Sequence, residues 1–322
     1  MKEKRKIEIN KAKNQLNLYG YESHFHIFKS LYEKKELPNT ILLSGKKGIG
    51  KATFAYHFIN FILSRDEKKE YSLKDLVINN KNSTYNLIQN NTHPNFYLLD
   101  KKQSEEIKID QTRDLIKFLS KTVYYKGVKI VLIDNAENLN LNASNSLLKS
   151  IEEPSTNTFF FIIDNDSKKL MKTITSRCVN FKIHFSQIDK SNVFNKLINA
   201  YDIEVNEKDL DYFLNFDTHG NILKYLLMLK EEDISISKDL LSCACYFINQ
   251  YKINSDPNIL NFIMLFIEKF YHQLSLTNSI LINKYTRNRD KIINLINNMK
   301  KFNLDKKNTL FVINNIIINE TR

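Results

Sequence analysis

The chain has 322 residues, of which 42% are hydrophobic, and 48 Lys+Arg against 36 Asp+Glu give a formal net charge of +12. That length suits two or three domains with real cores, and the apolar content excludes a disordered chain. Three cysteines without metal-like spacing argue against a disulfide scaffold and for a reducing compartment, the cytoplasm.

The start, Met1-Lys2-Glu3-Lys4-Arg5-Lys6, leads into no apolar stretch of the kind a secretory signal needs. Residues 1–37 are polar and helical in character. Thr40 to Ser44 is a short apolar strand that runs into a glycine loop, and Lys51 to Leu63 has helical periodicity. Residues 65–94 are charged and rich in Asn, and read as an insertion or long loop. Strands are expected at Phe96–Asp100, Lys129–Asp134, Thr158–Ile163 and Cys178–Ile183, with helices at Ile109–Leu119 and at Ala143–Glu153, the latter stopped by Pro154. Strands alternating with helices imply a parallel α/β sheet. After Phe185 the strand signals stop. Residues 186–232 suggest two or three short helices around Gly220, and the chain is helical in pattern from about 235 to its end. The expected division is therefore 1–185 α/β, 186–232 a small helical domain and 233–322 an all-α domain. No run approaches the ~18 apolar residues of a membrane span.

Gly45-Lys46-Lys47-Gly48-Ile49-Gly50-Lys51-Ala52 is a phosphate-binding loop with one departure. Strand, glycine turn and helix start are the context in which free N–H groups and a lysine cradle phosphate. Ala52, however, stands where a Ser or Thr hydroxyl would bind Mg²⁺. Thr53 comes one position too late, because a helix turns by about 100° per residue. A second pattern is Val131-Leu132-Ile133-Asp134, an apolar strand ending in a carboxylate placed to order Mg²⁺. The following residue is Asn135, whose amide cannot accept a proton from water, and Glu137 lies too far along to replace a base at that position. A third is Thr175-Ser176-Arg177-Cys178, between a helix and a strand. An arginine on such a rim suits insertion into a neighbouring subunit's nucleotide site, a contribution of roughly 10³–10⁵ in rate in favourable cases; the plainer reading is a surface charge.

Together these runs resemble the clamp-loader branch of the AAA+ family. The resemblance rests on Gly45 to Thr53, Ile107 to Arg113, Val131 to Glu137, Asn142 to Pro154 and Ser176-Arg177-Cys178. It covers about residues 15–185, and within the branch it is nearest to the bacterial delta-prime group, which keeps Ser-Arg-Cys while its own ATP site is degraded. The resemblance implies a P-loop α/β domain, a small helical lid and a helical collar. It implies that Arg177 is a finger acting in trans, with Ser176 and Cys178 holding its loop. Gly45, Gly48, Gly50, Lys51, Thr53 and Asp134 would form a vestigial nucleotide site, with at most weak ATP or ADP binding. Gly220-Asn221 marks where active members start the helix bearing a sensor arginine; the next basic residue here is Lys224. The implied partners are gamma/tau and delta subunits in a hetero-pentameric ring, the sliding clamp, and primed DNA held through its phosphate backbone, with no membrane.

Many bacterial relatives carry a four-cysteine zinc module after the P-loop helix, but residues 64–94 contain no cysteine, so no structural zinc is expected. Cys243 and Cys245 read as buried small residues. Two rival readings share the motifs. One is an active gamma/tau-like ATPase that tolerates Ala52 and Asn135; the other is an unrelated P-loop kinase or transferase, which would not need the helical region beyond 235. The basic excess has its own plain reading, since Lys, Asn and Ile abound throughout the chain as in AT-rich coding sequence.

Overall fold

The structure, a computed structural model, describes residues 11–101, 106–122, 127–205, 207–234, 239–254, 257–302 and 304–318. They fall into two compact units, 11–200 with 217–221, and 201–216 with 222–318. The part of the N-terminal helical expectation that falls on residues 1–10 lies outside the described residues.

The first unit is built on apolar runs that only a sheet covered on both faces can bury. β1 (Thr40–Ser44), β2 (Phe96–Leu99), β3 (Lys129–Ile133), β4 (Thr158–Asp164) and β5 (Val179–Lys182) form one parallel sheet in the order β2-β3-β4-β1-β5. Side chains alternate between the faces. Ile41, Leu43, Ile130, Leu132, Phe161 and Ile163 feed one core. Leu42, Val131, Ile133, Phe160 and Ile162 feed the other. β5 is an edge strand, and its Val179 is 47% exposed.

Against the first face pack α1 (Glu22–Glu33) and α2 (Lys51–Leu63). Nearly every turn of α2 is buried all round, as expected for a helix apolar on every side. Phe54, Phe58 and Phe61 meet Phe25, Phe28 and Tyr71, with Phe25 and Tyr71 stacked at 5.2 Å. Residues 65–94 are not the loose insertion the composition suggests. They contain α3 (Ser83–Gln89) and bury Tyr71, Leu76, Ile78, Tyr85 and Ile88. The Glu67 carboxylate accepts from the amides of Ser83 and Thr84, both at 2.8 Å, and the Asn82 side chain accepts from Tyr85 N. These acceptors satisfy helix-start N–H groups. From α2, His57 joins Tyr71 OH at 3.0 Å and Gln15 O at 3.1 Å. The apolar residues of 65–94 follow no single period, which hid the packing.

α4 (Ile109–Ser120), α5 (Leu141–Glu152) and the single turn α6 (Lys172–Thr175) lie on the second face. Lys129 opens β3 yet is buried; its ammonium donates to Phe118 O at 3.2 Å, Leu119 O at 2.9 Å and Lys121 O, capping the end of α4. Thr40 Oγ1 donates to Ile151 O at 3.0 Å, fixing the last turn of α5 to the start of β1. α7 (Gln187–Ala200) completes this unit.

The second unit is helical: α8 (Glu207–Phe216), most of α9 (His219–Glu231), α10 (Leu240–Asn254), α11 (Pro257–Thr277), α12 (Ile282–Phe302) and α13 (Lys306–Ile318). Phe262, Ile263, Leu265, Phe266 and Ile267 of α11 are all fully buried, which makes α11 its central helix. Phe247 stacks on Phe266 at 5.6 Å. Cys243 is buried, as expected, whereas Cys245 is half-buried. Among the described residues no helix is long and apolar enough to cross a membrane.

Candidate functional site

The glycine loop joins β1 to α2 at the carboxyl ends of the strands, where open α/β sheets bind ligands. Gly45, Gly48 and Gly50 have φ of +143°, +87° and +93°, conformations that favour glycine. Gly50 sits just before α2, so the loop ends on a helix start. Lys51 is buried, and its ammonium donates to the loop's own carbonyls, to Gly45 O at 2.6 Å and Lys46 O at 2.8 Å. Burial lowers its pKa to about 8, against the pull of Asp166, Glu137, Asp134 and Asp164. Ala52 packs against the apolar core and Thr53, one position on, is half-buried.

Residues 217–221 cover the loop. Thr218 Oγ1 donates to Lys47 O at 2.8 Å and Gly220 N to Gly48 O at 3.0 Å. A Cβ on Gly48 would stand 2.4 Å from Thr218 Oγ1. His219 stacks edge-on against Phe185 at 5.7 Å, and burial lowers its pKa to about 4.

Beside the loop, the ends of β2, β3 and β4 carry an acidic and amide cluster. Asp134 is raised to about 6, chiefly by burial and then by Asp100, while the Asn135 N–H it accepts works the other way. Asn135 has φ +55°, a conformation asparagine tolerates better than most residues. Its Nδ2 donates to Asp100 Oδ1 at 2.9 Å, and its Oδ1 accepts from Asn165 Nδ2 at 3.0 Å. Glu137 accepts from Ser167 Oγ at 2.9 Å and Asn165 N at 3.3 Å. Glu137 thus fixes the turn after β4.

These residues fit a magnesium nucleotide poorly. Two of the three Lys51 N–H donors serve the loop's own carbonyls, position 52 offers no hydroxyl, and the Asn135 amide is bonded through both its nitrogen and its oxygen. Among the described residues no three His, Cys, Asp or Glu side chains are grouped to hold a metal.

Arg177 lies elsewhere. Val179 is level with Ile41 and Lys182 with Ser44 in the β5–β1 register. Arg177 lies in the turn just before β5, at the amino end of that strand, whose Val179 is already roughly 10 Å from the level of Ser44 at about 3.3 Å per residue. The glycine loop is farther still, beyond the opposite end of the sheet. Arg177 Nε donates to Glu152 Oε2 at 2.8 Å and its Nη1 to Thr173 O at 3.0 Å. Ser176 Oγ donates to Thr173 O at 3.3 Å, and Cys178 Sγ to Ile174 O at 3.1 Å. Cys178 packs against the second core, and burial pushes its thiol up to about 12.

A family model described as "DNA polymerase III, delta subunit" matches residues 20–187, from the turn before α1 to the start of α7. The chain belongs to that family. Among its curated relatives, DNA polymerase III subunit delta' of Pseudomonas aeruginosa is 34% identical over 154 residues, covering 48% of this chain and 45% of the relative. The delta' subunit of Haemophilus influenzae is 37% identical over 92 residues, 29% of this chain and 28% of that one. DNA polymerase III subunit tau of Bacillus subtilis is 28% identical over 223 residues, 67% of this chain and 37% of that one. The chain thus matches less than half the length of these relatives. Within the DNA polymerase III family it is a delta-prime homologue of the clamp-loader type, with gamma/tau subunits also similar.

For a delta-prime homologue, the sequence reading missed two parts of the glycine-loop site. Asp100 and Asn165 are the partners of Asn135; their signal was present, since apolar strands end at both, as at Asp134. Thr218 and Gly220 cover the loop; the resemblance marked Gly220-Asn221 only as a helix start, and no local signal gave its bond to Gly48 or the contact from Thr218. The structure gathers Gly45, Gly48, Gly50, Lys51, Thr53 and Asp134 at one end of the sheet, and Ser176, Arg177 and Cys178 at the other.

Proposed function

We propose that this chain is a non-hydrolysing, delta-prime-like clamp-loader subunit that supplies Arg177 in trans to a neighbouring gamma/tau subunit. The observation that carries this reading is the position of Arg177. An arginine at the amino ends of the strands is out of reach of its own glycine loop, yet it is exposed enough to meet a neighbour's nucleotide. There a cation stabilises charge developing on the transferred phosphoryl group. The closed loop, Ala52 and Asn135 support the absence of turnover in the chain's own site. Ser176 and Cys178 hold the backbone from which Arg177 projects.

In this reading residues 1–185 form the AAA+ module, 186–232 its lid and 233–322 the collar that joins gamma/tau and delta subunits in a five-membered ring. The ring would act in the cytoplasm, loading the sliding clamp onto primed DNA gripped through its phosphates, so that binding weakens as salt rises. The test is ATP turnover by the reconstituted ring. Arg177→Ala is expected to leave assembly intact and lower turnover at the site facing this chain by about 10²-fold or more; unchanged turnover removes the assignment. The alternative, an active gamma/tau-like ATPase, predicts turnover by the isolated chain that Lys51→Ala abolishes.

A further inference from the structure

We infer that Glu152 is a positioning residue for Arg177, holding the guanidinium in the orientation it needs to enter a neighbour's phosphate site. The inference rests on the trans-finger reading above.

Both partners stand on fixed backbone. Glu152 is the last residue of α5, where Ile151 is buried in the second core and its carbonyl is tied to Thr40. Arg177 follows α6, whose Ile174 is fully buried and whose Ile174 O accepts from both Arg177 N and Cys178 Sγ. Two bonds from different directions, Glu152 on Nε and Thr173 O on Nη1, fix the plane of the guanidinium. An arginine has five N–H donors, so three remain, all on the terminal nitrogens that meet a phosphate end-on.

Glu152 is 55% and Arg177 31% exposed, and ion pairs this open add little to stability. The contribution of the contact is therefore geometric. A free arginine samples many rotamers and must lose that freedom on docking, whereas this one is arranged beforehand. A neutral amide at 152 keeps the size but weakens the charge-assisted bond that sets the angle.

The experiment is steady-state ATP turnover by rings reconstituted with gamma/tau and delta subunits, each ring carrying one variant of this chain. Glu152→Gln is expected to lower kcat by about threefold or more with KM for ATP unchanged, as expected when only transition-state stabilisation is lost. Glu152→Asp should recover part of the loss. Added to Arg177→Ala, Glu152→Gln should cause no further loss, since its effect runs through the arginine. Loss with Arg177→Ala but unchanged or faster turnover with Glu152→Gln overturns the positioning role while leaving the finger in place. An equal loss from Glu152→Gln in the Arg177→Ala background also overturns it, by showing an effect independent of the arginine. No loss with Arg177→Ala itself removes the finger, and the positioning role with it.

Discussion

Asn135 donates from Nδ2 to Asp100 Oδ1 at 2.9 Å, joining the end of β3 to the end of β2. With the bond it accepts from Asn165, one amide ties three strand ends together where a motor ATPase needs a general base. The residue that stands in place of that base also holds the structure.

Restoring the motif residues therefore should not restore turnover. Ala52→Thr with Asn135→Glu supplies a hydroxyl and a carboxylate, but the new carboxylate loses the donor to Asp100 and meets the charge of Asp134. The double variant is expected to turn over ATP at background level as the isolated chain. It should also be destabilised by about 1–3 kcal/mol, the usual cost of orphaned buried polar groups. Calorimetry and a phosphate-release assay read both outcomes, and turnover that depends on Lys51 would contradict the account of a closed loop.

Asp134 makes the pH dependence of stability testable. Its pKa is raised from 3.8 to about 6, so the folded chain binds the proton more tightly than the unfolded chain. That contribution is full below pH 3.8 and is lost as pH rises through about 6. Above that the buried carboxylate is a cost of about 3 kcal/mol, at 1.36 kcal/mol per unit. Asp134→Asn should accordingly raise the melting temperature at pH 7.5, with the gain shrinking toward zero near pH 4. An equal gain at both pH values would show that the carboxylate is not the cause.

His57 works in the opposite sense. Burial lowers its pKa to about 3, only partly offset by its bond to Gln15 O. The unfolded chain takes up this proton near pH 6.5, so the stability present above 6.5 is lost as pH falls toward 3. His219, lowered to about 4, adds a loss of the same sign. His57→Gln should flatten the acid limb of the stability curve. His57→Ala should cost about 1–3 kcal/mol at neutral pH by removing the bond that Tyr71 OH makes to the buried ring. Limited proteolysis should then cut first within residues 65–82, which His57 anchors.

Gly220 tests the cover over the glycine loop. A Cβ there would stand 2.4 Å from Gly48 O, so Gly220→Ala must break the Gly220 N–H···O bond or shift the loop. The expected cost is about 1–3 kcal/mol, as for other overpacked sites. Faster hydrogen exchange at the amide of residue 220 reports the break locally, and unchanged exchange would show that the contact is not maintained.

Much of the architecture was legible. Ile130 to Ile133 and Phe159 to Ile163 are apolar runs too continuous for any strand but a buried one, and Pro154 stops α5 where expected. The glycine loop announces itself because three positive φ values need glycine. Residues 65–94 were misread because their anchors, Glu67, Asn82 and His57, are polar and bond across sequence gaps that no period reveals. The Arg177–Glu152 pair joins positions 25 apart and could not be read from either local sequence.

By itself the sequence determined the order of strands and helices, the missing hydroxyl at Ala52 and the missing base at Asn135, because residue type and spacing decide these directly. The tertiary structure decided where those residues stand. Parallel pairing sends the glycine loop to the carboxyl ends of the strands and Arg177 to their amino ends, so one chain cannot bring the two together. It also decided that Lys51 turns back onto its own loop, since burial leaves its ammonium the carbonyls of Gly45 and Lys46 as partners in place of water.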